Sequence, residues 1–378
     1  MKLRSLWLGL ICMMALGCTL TACSDDDDDD CRDDTGTKVE LPRVRAFILN
    51  EGSYRGNNAG IAFYAPNGDA DFITDIYQKQ NDKKLGETGQ SMIEYDGEIF
   101  VAVYGSNYLA KLNAAGVEQA RLSFVDNEDL SAGIRYIAAE DGYIYASFWG
   151  GAVAKINAHT MSVEKKLTNL GSCLEGVVIN DGLLYVCNAC SGDFATYYDE
   201  IKVINLSNFS LKETITTLLP NPYTQILEEE DKIFFISNGI YDNATGGMSP
   251  SVLQVIDTKS NNKVSRICEA SHIASYNDIV YIVNSVTDWT TFTTTNSFST
   301  YDVKAGKLIE SSFLKNAPAE LANASIYMIQ IDPATGEIYI GTSEYSTNGT
   351  IYRFKSDGSY VSQFDAGGIN PNHMVFLY

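Results

Sequence analysis

The side chains of this sequence that could do chemistry recur at the starts of short apolar segments. They are Gln90, Arg135, Glu175, Gln225, His272 and His373. Polar groups gathered at the mouth of a channel could orient a ligand, or they could do no more than hydrogen-bond the water inside it. Two histidines also suggest a metal ion, but two ligands on separate segments fall short of a metal site. We therefore predict that these residues contact a ligand and hold no metal.

A second group consists of aromatic residues, with one arginine, in the long connections between the apolar segments. These residues are Tyr54, Arg55, Tyr104, Phe148, Trp149, Tyr197, Tyr198, Tyr241, Trp289 and Tyr345. Aromatic rings offer flat apolar area at a low cost in conformational entropy. The alternative is that individual rings pack between strands, since aromatic residues are mostly core material. Because most of the long connections supply a ring, we predict a ligand-binding rim.

Motifs for the common catalytic machineries are absent from the sequence. It has no G-x-S-x-G elbow, no H-E-x-x-H zinc motif and no P-loop. A glycosidase needs two carboxylates, and Glu175 is the acid placed nearest the channel, with Glu51 and Glu344 on the same side. We predict a protein that is not an enzyme and that uses no cofactor.

The spacing of the cysteines and the net charge argue against a zinc site and against binding to nucleic acid. The lone CxxC formed by Cys187 and Cys190 lacks the second pair that a zinc site needs. A disulfide from Cys187 to Cys190 or to Cys173 is plausible. The sequence has 27 basic and 48 acidic residues, a net charge of −21, which argues against binding to nucleic-acid phosphates.

A repeated pattern defines the elements that must position these residues. A tight turn precedes an apolar strand whose aromatic residue stands at positions 47, 100, 145, 185, 234, 281 and 339. The spacings, from 40 to 58 residues, match one four-stranded propeller blade with variable loops. A two-sheet sandwich or two separate domains would not predict seven copies. We predict an all-β, seven-bladed β-propeller over residues 43–378.

The two ends of the repeat region complete one another. Residues 371–378 form an apolar strand with no successor, and residues 45–50 form a strand with no predecessor. An unpaired apolar strand is an aggregation hazard, so we predict that the C-terminal strand pairs with the N-terminal blade and closes the ring. Short turns then lie on one face and long connections on the other, which brings the polar and aromatic residues together.

The first residues are predicted to be a targeting segment. Lys2 and Arg4 precede an apolar stretch of about 15 residues, which is short for a membrane span. The sequence Leu-Thr-Ala-Cys ending at Cys23 matches the bacterial lipoprotein box, which predicts a signal peptide at 1–22 and a lipid anchor on Cys23. The alternative is an ordinary signal peptide in which Cys23 is incidental. Residues 23–42, with a run of six aspartates, predict an acidic flexible tether.

Several short segments resemble one known family. They are residues 50–52 (Asn-Glu-Gly), 84–86 (Lys-Leu-Gly), 90–92 (Gln-Ser-Met) and 349–354 (Gly-Thr-Ile-Tyr-Arg-Phe). They resemble the YncE-like, seven-bladed surface lipoproteins of Bacteroidetes, also called DUF5074 proteins, and among these the BtuG-type branch. The resemblance implies capture of cobalamin and its transfer to a TonB-dependent outer-membrane transporter. The aspartate run after Cys23 resembles the surface-export signal of such lipoproteins, which implies an outer-membrane lipoprotein exposed on the cell surface; the alternative is a spacer on the periplasmic side.

Three functions follow from these observations. The first is a non-catalytic protein that captures a nutrient ligand, with cobalamin or another corrinoid as the first candidate and His272 and His373 as candidate axial ligands. The second is a protein–protein interaction module of a surface complex. The third is a metal-dependent, lactonase-like hydrolase, which would need several acids and amides converging on the axis. We predict the first.

Overall fold

The computed structural model of the protein describes residues 32–242, 247–288, 290–291 and 293–378. Within this part, Asp33–Tyr378 form one compact unit. The predicted signal peptide, the acylation site Cys23 and the run of aspartates lie outside the described residues. In the part that the structure describes, no helix is both long and apolar enough to span a bilayer.

The structure is a seven-bladed β-propeller, as predicted. In chain order, blade 1 contains β1 (Arg45–Asn50) and β2 (Gly60–Tyr64), followed by helix α1 (Ile76–Asn81). Blade 2 contains β3 (Gly89–Tyr95), β4 (Glu98–Val103), β5 (Tyr108–Leu112) and β6 (Glu118–Ser123). Blade 3 contains β7 (Ile134–Glu140), β8 (Tyr143–Phe148), β9 (Ala152–Asn157) and β10 (Ser162–Leu167). Blade 4 contains β11 (Leu174–Asn180), β12 (Leu183–Cys190), β13 (Tyr197–Asn205) and β14 (Ser210–Thr216).

The remaining blades follow the same plan. Blade 5 contains β15 (Pro222–Glu229), β16 (Lys232–Ser237), β19 (Val252–Asp257) and β20 (Lys263–Glu269), with a projecting hairpin of β17 (Tyr241–Asp242) and β18 (Gly247–Met248). Blade 6 contains β21 (His272–Tyr276), β22 (Ile279–Asp288), β23 (Thr293–Asp302) and β24 (Lys307–Ile309). Blade 7 contains β25 (Ile326–Ile331), β26 (Ile338–Thr342), β27 (Thr350–Phe354) and β28 (Tyr360–Asp365). The last strand, β29 (Pro371–Leu377), returns to blade 1. Short 3-10 helices lie at Thr258–Ser260 and Ala319–Ala322.

The position of a strand within its blade explains its residue pattern. In β4 and β16, the second strands of their blades, every residue after the first is buried. Each is covered on both faces by neighbouring blades, so both faces of the strand must be apolar. The outermost strands β6 and β28 instead alternate between half-buried and exposed residues, because only one of their faces is covered.

The connections divide the propeller into two faces. We use loop face for the side that carries the connections after the second and fourth strands of each blade, and turn face for the side that carries the other turns. The turns of the turn face are short and use left-handed residues such as Asp96, Asp141 and Asp181, which suit hairpin turns. The first strands of all seven blades line the axis, with β29 serving blade 1.

Pairing of the two ends closes the ring, as predicted. Strand β29 runs antiparallel to β1, with Phe47 opposite Val375 and Ile48 opposite Met374. Both strands are buried almost throughout. The hydroxyl of Tyr378 donates a hydrogen bond to Asp332 of blade 7. The end of the chain therefore also connects blade 1 to blade 7.

Blade 1 differs from the other blades at its outer edge. In place of a fourth strand it has one bridge, in which Phe63 and Ile73 exchange backbone hydrogen bonds of 2.9 and 3.1 Å. Asp75 then caps α1 by accepting a hydrogen bond from the amide of Gln78. Ile76 and Tyr77 of the helix are buried in the core of blades 1 and 2, so a helical turn replaces most of the missing strand.

Residues 33–42, which the sequence assigns to the flexible tether at 23–42, are held on the propeller and belong to its compact unit. The carboxylate of Asp34 accepts two hydrogen bonds, of 2.7 and 3.1 Å, from the guanidinium of Arg45. Arg45 is buried and also donates to the carbonyl of Ala114. Val39 and Leu41 pack against the core of blades 1 and 2. This ion pair and apolar contact turn the last part of the predicted tether into structure.

The closing strand gives a first prediction. Val375→Asp places a carboxylate inside the core shared by blades 1 and 2, where an unpaired charge should lower stability by about 4 kcal/mol or more. The matched control is Val361→Asp on the half-exposed outer strand β28, which should stay within about 0.5 kcal/mol of wild type. Thermal unfolding followed by circular dichroism tests both. Equal losses in the two variants would contradict the role of β29.

Candidate functional site

A cavity of about 890 Å³ opens along the axis on the loop face. The first strands of all seven blades contribute to its wall, through residues such as Gln90, Arg135, Val177, Gln225 and His272. Connections of the loop face add residues that include Tyr54, Tyr104, Trp149 and Phe194. Polar and aromatic residues that lie far apart in the sequence therefore share one concave surface.

A buried ion pair forms one wall of the cavity. Nε of Arg135 donates to Oε2 of Glu175 over 2.9 Å, and Nη1 donates to Oε1 of Gln90 over 2.6 Å. The side-chain amide of Gln90 in turn donates to the hydroxyl of Tyr136 over 2.9 Å. Arg135 reaches the cavity surface, whereas Glu175 is completely buried behind it. The prediction that Glu175 contacts the ligand is wrong, because its carboxylate is completely buried and accepts hydrogen bonds from Arg135 and Trp149.

Aromatic rings enclose the guanidinium of Arg135. Its Cζ lies 4.6 Å from the ring centre of Tyr104 and 5.0 Å from that of Trp149, which is the geometry of cation–π contacts. The indole nitrogen of Trp149 donates to Oε1 of Glu175 over 2.7 Å. The rings are therefore fixed by the ion pair, and the ion pair is shielded by the rings.

The acidic groups of the site have pKa values that differ from those in water. Burial raises the pKa of Glu175, against the opposing effects of Arg135 and the Trp149 indole. Burial also raises the pKa of Glu51, which lines the cavity and accepts a 2.6 Å hydrogen bond from the hydroxyl of Tyr327. The positive charge of Arg135 is paired with Glu175 within the wall, and Glu51 is the one acidic residue among the described residues that line the cavity.

The two histidines of the cavity are neutral near pH 7. Burial lowers the pKa of both His272 and His373 to about 4. His272 contacts the hydroxyl of Ser271 through Nδ1 at 3.1 Å, and His373 contacts the side chain of Asn372 through Nδ1 at 3.2 Å. Among the described residues, no group of three or more His, Cys, Asp or Glu side chains could hold a metal ion.

Several of the predicted site residues lie elsewhere. Phe148 is completely buried between blades and packs edge-on against Phe124 at 4.9 Å, so its predicted contact with a ligand is wrong. Arg55, Tyr197, Tyr198, Tyr241 and Tyr345 also do not line the cavity. Tyr345 remains close to it, since its ring packs against Tyr327 at 6.0 Å. Trp289 lies outside the described residues.

Three tyrosines of the cavity wall are not among the residues predicted from the sequence. Tyr136, Tyr223 and Tyr327 all lie within the first three residues of an innermost strand. In the strands β7, β15 and β25 that carry them, the register shifts near the loop face. Such bulges let consecutive residues, here Arg135 and Tyr136, reach the same side of a strand. The tyrosines at strand starts were visible in the sequence, whereas the bulges were not.

The cysteines are arranged differently from the expected pairs. Cys187 is buried among Tyr185, Ile201 and other residues between blades 4 and 5. Cys173 and Cys190 belong to a separate cluster beside Trp149. Neither of the two expected pairs, both of which use Cys187, is brought together.

Comparisons with known proteins identify the fold and nothing finer. No family model and no curated protein matches the chain. The computationally designed Ika8 protein is similar, with a TM-score of 0.50 and 11% identity over 86% of this chain and 88% of that chain. The Pan2 WD40 domain of Neurospora crassa has a TM-score of 0.50 and 13% identity over 70% and 74%. BamB from Moraxella catarrhalis has a TM-score of 0.49 and 11% identity over 85% and 83%. At such identities the likeness concerns architecture alone.

The ion pair gives a second prediction. Glu175→Gln leaves the buried guanidinium of Arg135 without its counter-charge, and we expect a loss of about 3–5 kcal/mol. The double variant Arg135→Met with Glu175→Leu removes both charges and should recover most of that loss. The melting temperatures of wild type, Glu175→Gln and the double variant measure both changes in stability. A Glu175→Gln variant as stable as wild type would mean that the cavity solvates Arg135.

The histidines give a third prediction. The pKa of each ring is about 4 in the folded chain and 6.5 in the unfolded chain. Between pH 4 and pH 6.5 the unfolded chain therefore binds more protons than the folded chain. Stability should therefore fall as the pH drops from about 6.5 to 4, by roughly 1–2 kcal/mol per ring at pH 5. Melting temperatures at pH 7 and pH 5 measure the loss. The double variant His272→Gln with His373→Gln should lose clearly less than wild type, and an equal loss would refute the assignment.

Proposed function

We propose that the protein is a non-catalytic binding protein that captures an uncharged organic ligand, rich in amide or hydroxyl groups, in its axial cavity. The observation that carries this proposal is the composition of the wall. Gln90, Gln225, Asn372 and several tyrosines line the same space. Such groups fix the orientation of a ligand, while the rings supply apolar contact area.

The balance of charge in the wall supports a neutral ligand. Among the cavity residues, Arg135 is paired with Glu175, and burial keeps the histidines uncharged. An anionic ligand would have to give up its hydration without finding an unpaired positive charge. Glu51 accepts a hydrogen bond from Tyr327, and burial raises its pKa, which favours its neutral form. The volume of about 890 Å³ falls in the range of ligand sites, which extends to about 1,000 Å³.

A corrinoid is our first candidate for the ligand. It is large and amphipathic and carries primary amides around a flat ring, which suits a wall of amides with aromatic rings at the mouth. The resemblance to BtuG-type lipoproteins points to the same class. In this proposal, Cys23 carries a lipid anchor, the protein is exposed on the outer surface of the outer membrane, and it passes the ligand to a TonB-dependent transporter.

A second candidate function, docking of a protein partner, is favoured by the exposed apolar residues. Of the twelve large apolar side chains that are exposed in the described part of the chain, nine lie on the loop face. They are Tyr54, Val125, Phe194, Leu218, Leu219, Tyr241, Met248, Val286 and Tyr345. The other three, Leu211, Ile309 and Val361, lie on outermost strands. Exposed apolar surface on one face is typical of interaction sites.

Titration with cobalamin gives a fourth prediction and tests the proposed function. Tyr54 is 81% exposed at the cavity mouth, so Tyr54→Ala should not affect folding and should weaken binding by about 5- to 30-fold. The matched control is Tyr241→Ala, which removes a ring that is 54% exposed on the same face but outside the cavity. Calorimetry and absorbance measure the affinity.

The outcomes separate the candidates. Binding that Tyr54→Ala weakens and Tyr241→Ala leaves unchanged supports capture in the cavity. Absence of binding at micromolar cobalamin would eliminate the corrinoid. Equal weakening by both variants would place the ligand on the outer loops and contradict the cavity as the site.

A further inference from the structure

Two cysteines of blade 4 face each other across neighbouring chain segments. Cys173 lies just before β11, and Cys190 is the last residue of β12. The amide of Cys173 donates to the carbonyl of Cys190 over 3.1 Å, and the amide of Ala189 donates to the carbonyl of Cys173 over 3.0 Å. These two bonds place Ala189 and Cys190 together opposite Cys173, as in a β-bulge. The two cysteines are therefore adjacent across the strand pair, and a disulfide between them needs Cα atoms about 4.4–6.8 Å apart.

The side chains of these two cysteines share one environment. Both are almost completely buried in a small cluster with Ala189, beside Trp149. The two thiols are close enough for each to shift the pKa of the other, and Sγ of Cys173 donates a 3.6 Å hydrogen bond to the carbonyl of Ser191, the residue after Cys190. Cys187 belongs to a different cluster, and Cys268 lies on β20 of the next blade, so neither competes for this contact.

We propose that Cys173 and Cys190 form an intramolecular disulfide. The reaction is exchange with a small disulfide such as oxidised glutathione. One cysteine thiolate attacks a glutathione sulfur and releases one glutathione thiolate. The second cysteine thiolate then attacks the protein sulfur of the mixed disulfide and releases the other. The protons of the two protein thiols end on the two reduced glutathione molecules.

The cross-link is made while the chain folds. In the folded protein both sulfurs are shielded from solvent, and burial raises the pKa of the Cys173 thiol to about 12, so very little thiolate is present near pH 7. Exchange after folding requires the exposed loop at 191–196 to open. Once formed, the disulfide is protected from reductants by the same burial.

The disulfide would fix part of the cavity rim. The loop at 191–196 begins directly after Cys190, and its Phe194 packs edge-on against Trp149 at 5.9 Å. Both rings line the cavity. Trp149 is also bridged to Cys173 through the backbone. A covalent bond from Cys173 to Cys190 therefore holds the base of the loop beneath this aromatic pair.

Peptide mapping gives a fifth prediction. The full-length protein is unfolded with a reductant, refolded in a buffer of oxidised and reduced glutathione, and digested without reduction. We expect the Cys173 and Cys190 peptides to appear joined, with a combined mass lower by two hydrogens than the sum of the separate peptides. The oxidised protein should melt higher than the reduced protein by on the order of 2–5 °C, and proteases should cut the 191–196 loop more slowly.

Matched variants guard against a fortuitous result. Cys187→Ser and Cys268→Ser should keep the joined peptides and the shift in melting temperature, and Cys190→Ser should lose both. Free thiols at Cys173 and Cys190 in refolded, folded wild-type protein would overturn the proposal. A linkage that joins Cys187 to either partner would overturn it as well.

Discussion

Antiparallel pairing of β29 with β1 is the constraint on which the rest of the structure depends. Without it blade 1 would lack its innermost strand, and the axis would be open on one side. The pairing joins residues that are more than 300 positions apart, such as Phe47 and Val375, so the entropy of closing that long loop must be offset by buried apolar area. The cavity exists because the ring is closed, since every blade supplies part of its wall.

The wall of the cavity shows how a polar site can be built into an apolar fold. Taking Arg135 and Glu175 out of water is unfavourable unless both are fully paired. Gln90, Trp149 and the ring of Tyr104 complete that pairing. The result is an ordered surface that displays hydrogen-bonding groups and keeps the charge of Arg135 paired inside the wall. Rigidity matters for a binding site, because side chains that are already ordered lose little entropy when a ligand arrives.

The sequence predicts the architecture well and the details of the site less well. The seven copies of the turn-and-strand pattern, the missing strand before Phe47 and the apolar C-terminal strand lead directly to a closed propeller. Gln90, Arg135, Trp149, His272 and His373 were placed at the cavity by their position in the repeat. Burial could not be foreseen for Phe148 or Glu175, because a ring or a carboxylate at a strand end can turn either way. Strand bulges and the pairing of Asp34 with Arg45 depend on tertiary contacts that no local pattern encodes.

The ion pair between Asp34 and Arg45 fixes which face of the propeller carries residues 33–42. Residues 33–42 meet the propeller around Ala114, in a turn of blade 2 on the turn face. Residues 33–42 therefore lie on the turn face, and the cavity opens on the opposite, loop face. A solid support attached near residue 33 would therefore leave the mouth of the cavity accessible to solvent.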